Sequence, residues 1–534
     1  MLERLLALLK RIFQVKSVEQ LKLEADSEQS EALKRALKLK DLVAFGVGAV
    51  IGSGIFVTTG LAAAGSRDYV AAGPAVMISF LVVSIACLLC VLCYAEFASV
   101  IPTAGSAYTY AYASLGEYVA WILGWNLILE YAVGNIAVAI SWSGYFLSIL
   151  RGFGINFPAW LADSYFTASP EAIASAPHIL GIPIMCNLPA IAIVVLLTCI
   201  IVRGIKCSAS FNDFLVVFKI LIILGVIALG AVYVHPGNWT PFAPNGWAGI
   251  QAGAALVFFA YIGFDAITTL AEETENPGRD LPLGMVITLA ISTFLYVAVA
   301  AVLTGMIPYT ELGTAEPMAT AFAAINMPKV AAVIAIGAVI AMTAVLLVFQ
   351  IAQPRIFFVM ARDGLIPKFF ARVHKKFRTP HITTWGTTVV VALCAGFMDL
   401  SIVIELCNIG TLFAFILVCL GVIIMRRQRP DLARPFRTPL VPWVPIGGII
   451  CCLYLVVGMP SMTWIRFLVW IVIGTIIYLC YGYKHSTMLN APLSAHNCVL
   501  NQELVDDEMQ VASTIVNESE KGATKEAEAS KTAN

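Results

Sequence analysis

Three ionisable residues stand deep inside apolar stretches of this chain: Glu130 in GWNLILEY (124–131), Lys219 in NDFLVVFKILIILG (212–225) and Asp265 in ALVFFAYIGFDAITTL (255–270). Charge at the centre of a bilayer is costly, so each such group marks a functional site by default. Lys219 is the sharpest case, six residues past the nearest other charge. The desolvation of a buried ammonium makes proton exchange at Lys219 feasible near neutral pH. An ammonium held beside broken helix would also do the structural work of a bound sodium ion. The competing reading, a lysine snorkelling to the interface, is disfavoured by its distance from Arg203 and Lys206. Glu130 would cap a substrate amino group, and Asp265 would join the same network or serve a structural hydrogen bond.

The peptide backbone offers a second kind of chemistry. Leu42–Leu61 is apolar enough to cross a bilayer yet carries Gly46, Gly48, Gly52, Gly54 and Gly60. Each costs roughly 1 kcal/mol of helix stability relative to alanine. Broken helix at membrane depth is tolerated only where it lines a cavity or holds a ligand. The stretch 255–270 repeats the pattern, with Gly263 at its centre. At the first break, N–H groups of Ser53, Gly54 and Ile55 at the positive end of a half-helix suit a carboxylate. Carbonyls of Val50, Phe259 and Ala260 suit an ammonium. Donors for an anion beside acceptors for a cation describe an α-amino acid. Close helix packing accounts for Gly48-xxx-Gly52 alone, but two interruptions in matching positions point to a transport site. The Phe259 ring would close over the ligand.

These residues need a membrane scaffold. The 534 residues are 60% hydrophobic and 12% charged, against about 25% charged in an ordinary soluble domain. Windows of about 20 apolar residues fall near 42–64, 72–96, 118–148, 185–204, 210–234, 249–271, 282–306, 330–353, 383–400, 402–425, 443–459 and 463–482, giving twelve spans. Lys and Arg crowd residues 1–41, the loop after the eighth span (Arg355–Arg378) and the loop after the tenth (Arg426–Arg437). The positive-inside rule then puts both termini in the cytoplasm, and the location expected is the cell membrane, plasma or inner. The organisation expected is a cytoplasmic amphipathic segment (1–41), a first five-helix repeat (42–234), an inverted second repeat (249–425), two extra helices (443–482) and a disordered cytoplasmic tail (487–534). Met1–Leu23 reads as an interfacial helix or a solvated arm. Cys87, Cys90 and Cys93 read as packing rather than a metal site. The six histidines fall in loops or tails, no nucleophile–base cluster is visible, and an enzyme is not expected.

Five motifs together resemble the amino acid–polyamine–organocation superfamily, in its cationic amino acid transporter branch and bacterial homologues. They are GVGAVIGSGIFVTTG (46–60), YAEFASVIPTAGSAYTY (94–110), GWNLILEYAVGNIAVAISWSGYF (124–146), FFAYIGFDAITTLAEETENPGRDLPLGM (258–285) and RIFFVMARDGLIPKFF (355–370). The resemblance runs from about Leu37 to Tyr483. It implies an all-α polytopic fold with a five-plus-five inverted repeat, first and sixth helices broken, and alternating access. It places the substrate carboxylate on Ser53 and Gly54, and the amino group on carbonyls of Val50, Phe259, Ala260 and Ile262. It makes Phe259 the aromatic gate and Lys219 the replacement for a sodium site. Asn126 stands where many bacterial relatives have Asp, which weakens a proton role there, and Glu130 is shared with bacterial relatives.

The function expected is import of L-α-amino acids, neutral or cationic, by proton symport, with the proton as coupling ion and no other cofactor or metal. An obligate exchanger is the alternative, and a channel or non-transporting receptor the rival of a different class. The partners expected are an amino acid substrate and the lipid bilayer, without nucleic acid; a small accessory membrane subunit stays open.

Overall fold

Apolar runs too long for a soluble core become helices, since a helix satisfies its own peptide groups in hydrocarbon. The computed structural model describes residues 14–18, 21, 37–66, 69–102, 105–165, 168, 170–179, 182–202, 209–372 and 381–490. The helices include α1 (Leu39–Val50), α2 (Thr59–Ala64), α3 (Val76–Val100), α4 (Ser106–Ser114), α5 (Glu117–Gly152), α6 (Leu188–Val202), α7 (Ala209–Ala231), α8 (Gly246–Val257), α9 (Pro277–Met306), α10 (Pro317–Ala324), α11 (Pro328–Arg362), α12 (His381–Phe397), α13 (Leu400–Gln428), α14 (Trp443–Val457) and α15 (Ser461–Ile477). Among the described residues, seven helical segments are long and apolar enough to cross a membrane, and α1 and α2 form a bent pair that would make an eighth. Four shorter apolar helices accompany them, at Leu188–Val202, Leu215–Ala231, His381–Phe397 and Trp443–Val457. The protein is therefore a polytopic membrane protein.

Two rods depart from regular α-helix. The first ends at Val50, bends by 43° and resumes through a wide turn at Gly54–Thr58 that leads into α2. The second tightens from α8 into a 3₁₀ turn at Phe258–Tyr261, becomes extended at Ile262 and reverses at Gly263 before a 3₁₀ helix, Phe264–Glu273. Gly263 has φ 115°, a left-handed conformation that only glycine adopts without strain. Around these rods, α9 packs on α1 and α3, and α5 packs on α11 and α13. Helix α7 touches α1, α9 and α11.

Sequence boundaries shift at one informative place. The apolar window of the eighth span ends at 353 and leaves Arg355 in a loop, whereas α11 continues through Pro354 to Arg362. The extra turns carry Arg355 on the helix itself. Hydropathy marks where hydrocarbon ends, and a helix can run past that point into polar surroundings.

Both ends of the described chain meet at one corner. Asp363, just after α11, accepts from Lys16 Nζ (3.2 Å) and from Tyr108 OH (2.6 Å), while its backbone carbonyl accepts from Thr487 N (3.0 Å). Glu117, at the start of α5, accepts from Tyr112 and Tyr478 hydroxyls at 2.9 Å each and from Ser486 Oγ. Val18 and Leu21 are buried beside this corner. Residues 1–13, 19–20 and 22–23 of the Met1–Leu23 segment and residues 491–534 of the tail lie outside the described residues, and Thr487–Asn490 is a short helix.

Candidate functional site

The two interruptions touch. A Cβ built on Gly54 would lie 2.3 Å from Ala260 Cα, so only the absence of a side chain there allows the two backbones to meet. Gly263 lies against Ala49, whose carbonyl carbon and oxygen would each sit 3.3 Å from an added Cβ. The first break is therefore seated on the second, and Val50, Ser53, Gly54, Phe259, Ala260 and Ile262 are all buried in the junction.

Peptide groups at the first break are answered from other helices. Lys219, on α7 and fully buried, donates to the Gly48 carbonyl at 2.6 Å and to the Ile51 carbonyl at 2.9 Å. An ammonium thus holds two carbonyls of the interrupted helix. Tyr296, on α9, places its hydroxyl 3.0 Å from the Val50 carbonyl and 2.7 Å from the Ala260 carbonyl. Ser53 Oγ is buried with no hydrogen-bond partner among the described residues, an orphan that a ligand can satisfy. Beyond the turn, Tyr145 OH donates to the Phe56 carbonyl at 2.8 Å.

A cavity of about 310 Å³ begins at the second break. Its lining includes Glu130, Ile262, Gly263, Asp265, Phe349 and Arg355, and it runs out to Leu37, Asp41 and Glu273. Its size falls within the roughly 300–1,000 Å³ of small-molecule pockets. Four carboxyl groups (Asp41, Glu130, Asp265 and Glu273) face one guanidinium, Arg355, so the lining favours a cation. Asp265 sits in the first turn of the 3₁₀ helix after the break.

The residues singled out by sequence divide into two groups. Glu130, Asp265 and Ile262 come together in the cavity wall, while Val50, Ser53, Gly54, Phe259 and Ala260 are not part of that lining and form the seam behind it. Asn126 is in neither group. Its Nδ2 donates to the Gly410 carbonyl at 2.8 Å, tying α5 to α13. Three residues escaped the sequence reading. Tyr296 carried a faint signal, since a hydroxyl in an apolar span needs a partner. Asn408, likewise polar in an apolar run, donates to the carbonyls of Ala255 (2.8 Å) and Leu256 (3.3 Å), just ahead of the second break. Arg355 was hidden by the span boundary.

Comparison with known proteins agrees with this architecture. The profile of the family described as "Amino acid permease" matches residues 37–483. The branched-chain amino acid permease BcaP of Bacillus subtilis is 45% identical over 478 residues, covering 89% of this chain and 99% of its own. The methylthioribose transporter of the same organism is 44% identical over 477 residues, with the same coverage. Human cationic amino acid transporter 4 is 36% identical over 411 residues, covering 76% of this chain and 62% of its own. The chain belongs to the amino acid permease family, a family of transporters and not of enzymes.

Proposed function

We propose that this protein is a secondary active transporter that imports L-α-amino acids together with protons by alternating access. The observation that carries the reading is the seam of two interrupted helices, Gly54 against Ala260, with the orphaned Ser53 hydroxyl beside it and an acid-lined cavity opening from its second half. In this reading the four shorter apolar helices also cross the membrane. Twelve spans then form two inverted sets of five, 42–234 and 249–425, followed by two extra helices. The side bearing Leu37, Glu273 and the basic loops is cytoplasmic, as are both termini, in the cell membrane. The cavity reaching that side makes this conformation inward-facing.

The substrate carboxylate binds the amides of Ser53 and Gly54, and its ammonium faces carbonyls of Val50, Phe259, Ala260 and Ile262. Phe259 closes over it from the outer side. The acidic lining, with Glu130 and Asp265 deepest, favours a substrate with a net positive end. Coupling runs through Lys219: while charged it holds the Gly48 and Ile51 carbonyls, and proton loss to the cytoplasm frees them and weakens the site.

Uptake into proteoliposomes under an inwardly directed proton gradient tests this, with the twenty amino acids and methylthioribose as competitors. Concentrative uptake of an amino acid that collapses with the gradient is the expected result. Counterflow without net uptake would assign an exchanger instead, and competition by methylthioribose alone would overturn the substrate class.

A further inference from the structure

Tyr296 stands outside every role assigned above, yet its hydroxyl is the group that meets both breaks at once. On α9, Thr288, Ser292 and Tyr296 recur every fourth residue, which puts them on one helix face, and all three are fully buried. A Cβ built on Gly46 of α1 would lie 2.5 Å from Thr288 Oγ1, so this face presses on the first rod. The Tyr296 ring packs in a three-ring cluster with Phe80 and Tyr261, whose centroids lie 5.4 and 5.2 Å from it and 6.2 Å from each other. A buried ring packed in such a cluster gives its hydroxyl a defined position. That position lies 3.0 Å from the Val50 carbonyl and 2.7 Å from the Ala260 carbonyl.

A phenol has one proton to donate, whereas each carbonyl oxygen has two lone pairs. The single proton goes to one carbonyl at a time or is shared between them, so Tyr296 draws both toward one point and occupies at most one lone pair of each. An ammonium group placed between them needs acceptors at a fixed separation, and two peptide groups from separate helices do not keep one unaided. We infer that Tyr296 is the positioning residue that sets the spacing of the Val50 and Ala260 carbonyls for the substrate's α-amino group. The inference rests on the reading that these carbonyls receive that group.

The test pairs a protein change with a ligand change. Binding of L-arginine and L-leucine is compared with that of their des-amino counterparts, 5-guanidinopentanoate and 4-methylpentanoate. The full-length wild-type protein, Tyr296→Phe and Tyr296→His are measured by calorimetry. Wild type is expected to prefer the amino forms. Tyr296→Phe should lose about three- to tenfold of that preference, the scale of one neutral hydrogen bond, with affinity for the des-amino forms unchanged. Tyr296→His, which keeps a ring N–H, should recover part of the preference and provides the comparison should Tyr296→Phe not fold. Tyr261→Phe is the control, because that hydroxyl donates to the Phe80 carbonyl, outside both breaks (3.0 Å). Equal loss for amino and des-amino forms in Tyr296→Phe, or an undiminished preference, overturns the inference. A wild-type protein that does not discriminate the two forms brings down the underlying reading instead.

Discussion

At residues 51–53 the first rod is kept open from outside: the Gly48 and Ile51 carbonyls are held by an ammonium that belongs to α7. At residues 262–263 the second rod is kept open from within, by an extended Ile262 and a left-handed Gly263. The difference matters because the two restraints respond to different things. A titratable group holds the two carbonyls less strongly once it loses its charge, since charge-assisted hydrogen bonds are the stronger ones. A backbone conformation imposed by glycine has no such release. Under the proposed function, the first break would be the coupled half of the seam and the second its seat.

That contrast can be broken most severely at Lys219. In Lys219→Ala, gradient-driven accumulation in proteoliposomes should fall by about tenfold or more, since a buried hydrogen bond from a charged group is worth roughly 1.5–3 kcal/mol. Retention of full, pH-dependent accumulation would show that the first break does not need its external restraint. Next in size is Gly263→Ala, which forces an alanine into the left-handed region at about 1–2 kcal/mol. Thermal unfolding should occur at lower temperature with the pH dependence of uptake intact, separating stability from coupling. A changed pH profile would mean that the seat is not passive.

Asn408→Ala sharpens the same half of the comparison. It removes the donor that pins the Ala255 and Leu256 carbonyls, and a stability loss of about 1 kcal/mol, without altered coupling, is expected by the same two measurements. The smallest effect belongs to a point remote from both breaks. Arg151 Nη2 pairs with Glu316 Oε1 at 2.8 Å, and Arg151 is 61% exposed, so the pair should contribute no more than about 1 kcal/mol. Burial raises the Glu316 carboxyl above its ordinary range, Arg151 lowers it and Asp163 adds to the rise. The pair exists only while Glu316 is ionised. The melting-temperature gap between wild type and Arg151→Ala should therefore be present at neutral pH and close as Glu316 is protonated in acid. A gap that widens in acid would contradict this assignment.

Much of this was legible in residue order. Glycine clusters announce interruptions because helix in hydrocarbon has no reason to accept their destabilisation, and the rods are interrupted at Ile51–Ser53 and Ile262–Gly263. Lys219 was legible because charge is rare at that depth. What stayed hidden was pairing across the chain. Tyr296 lies 246 residues from Val50, and nothing in the run around Tyr296 names its acceptors. Nor did residue order give the lining of the cavity at the second break, where Ile262, Gly263 and Glu130 meet Arg355. Motifs report which backbone is exposed, but the direction in which space opens depends on how far neighbouring helices stand apart. Arg355 joins its wall because α11 outlasts its apolar window.

The corner where Lys16 and Thr487 share Asp363 has a practical consequence. Spectroscopic labels attached there would ride on the ends of α11 and α5 and not on either interrupted rod. Distances from such labels to Leu37 or Glu273 would report whether the mouth of the cavity moves relative to that corner when substrate is added.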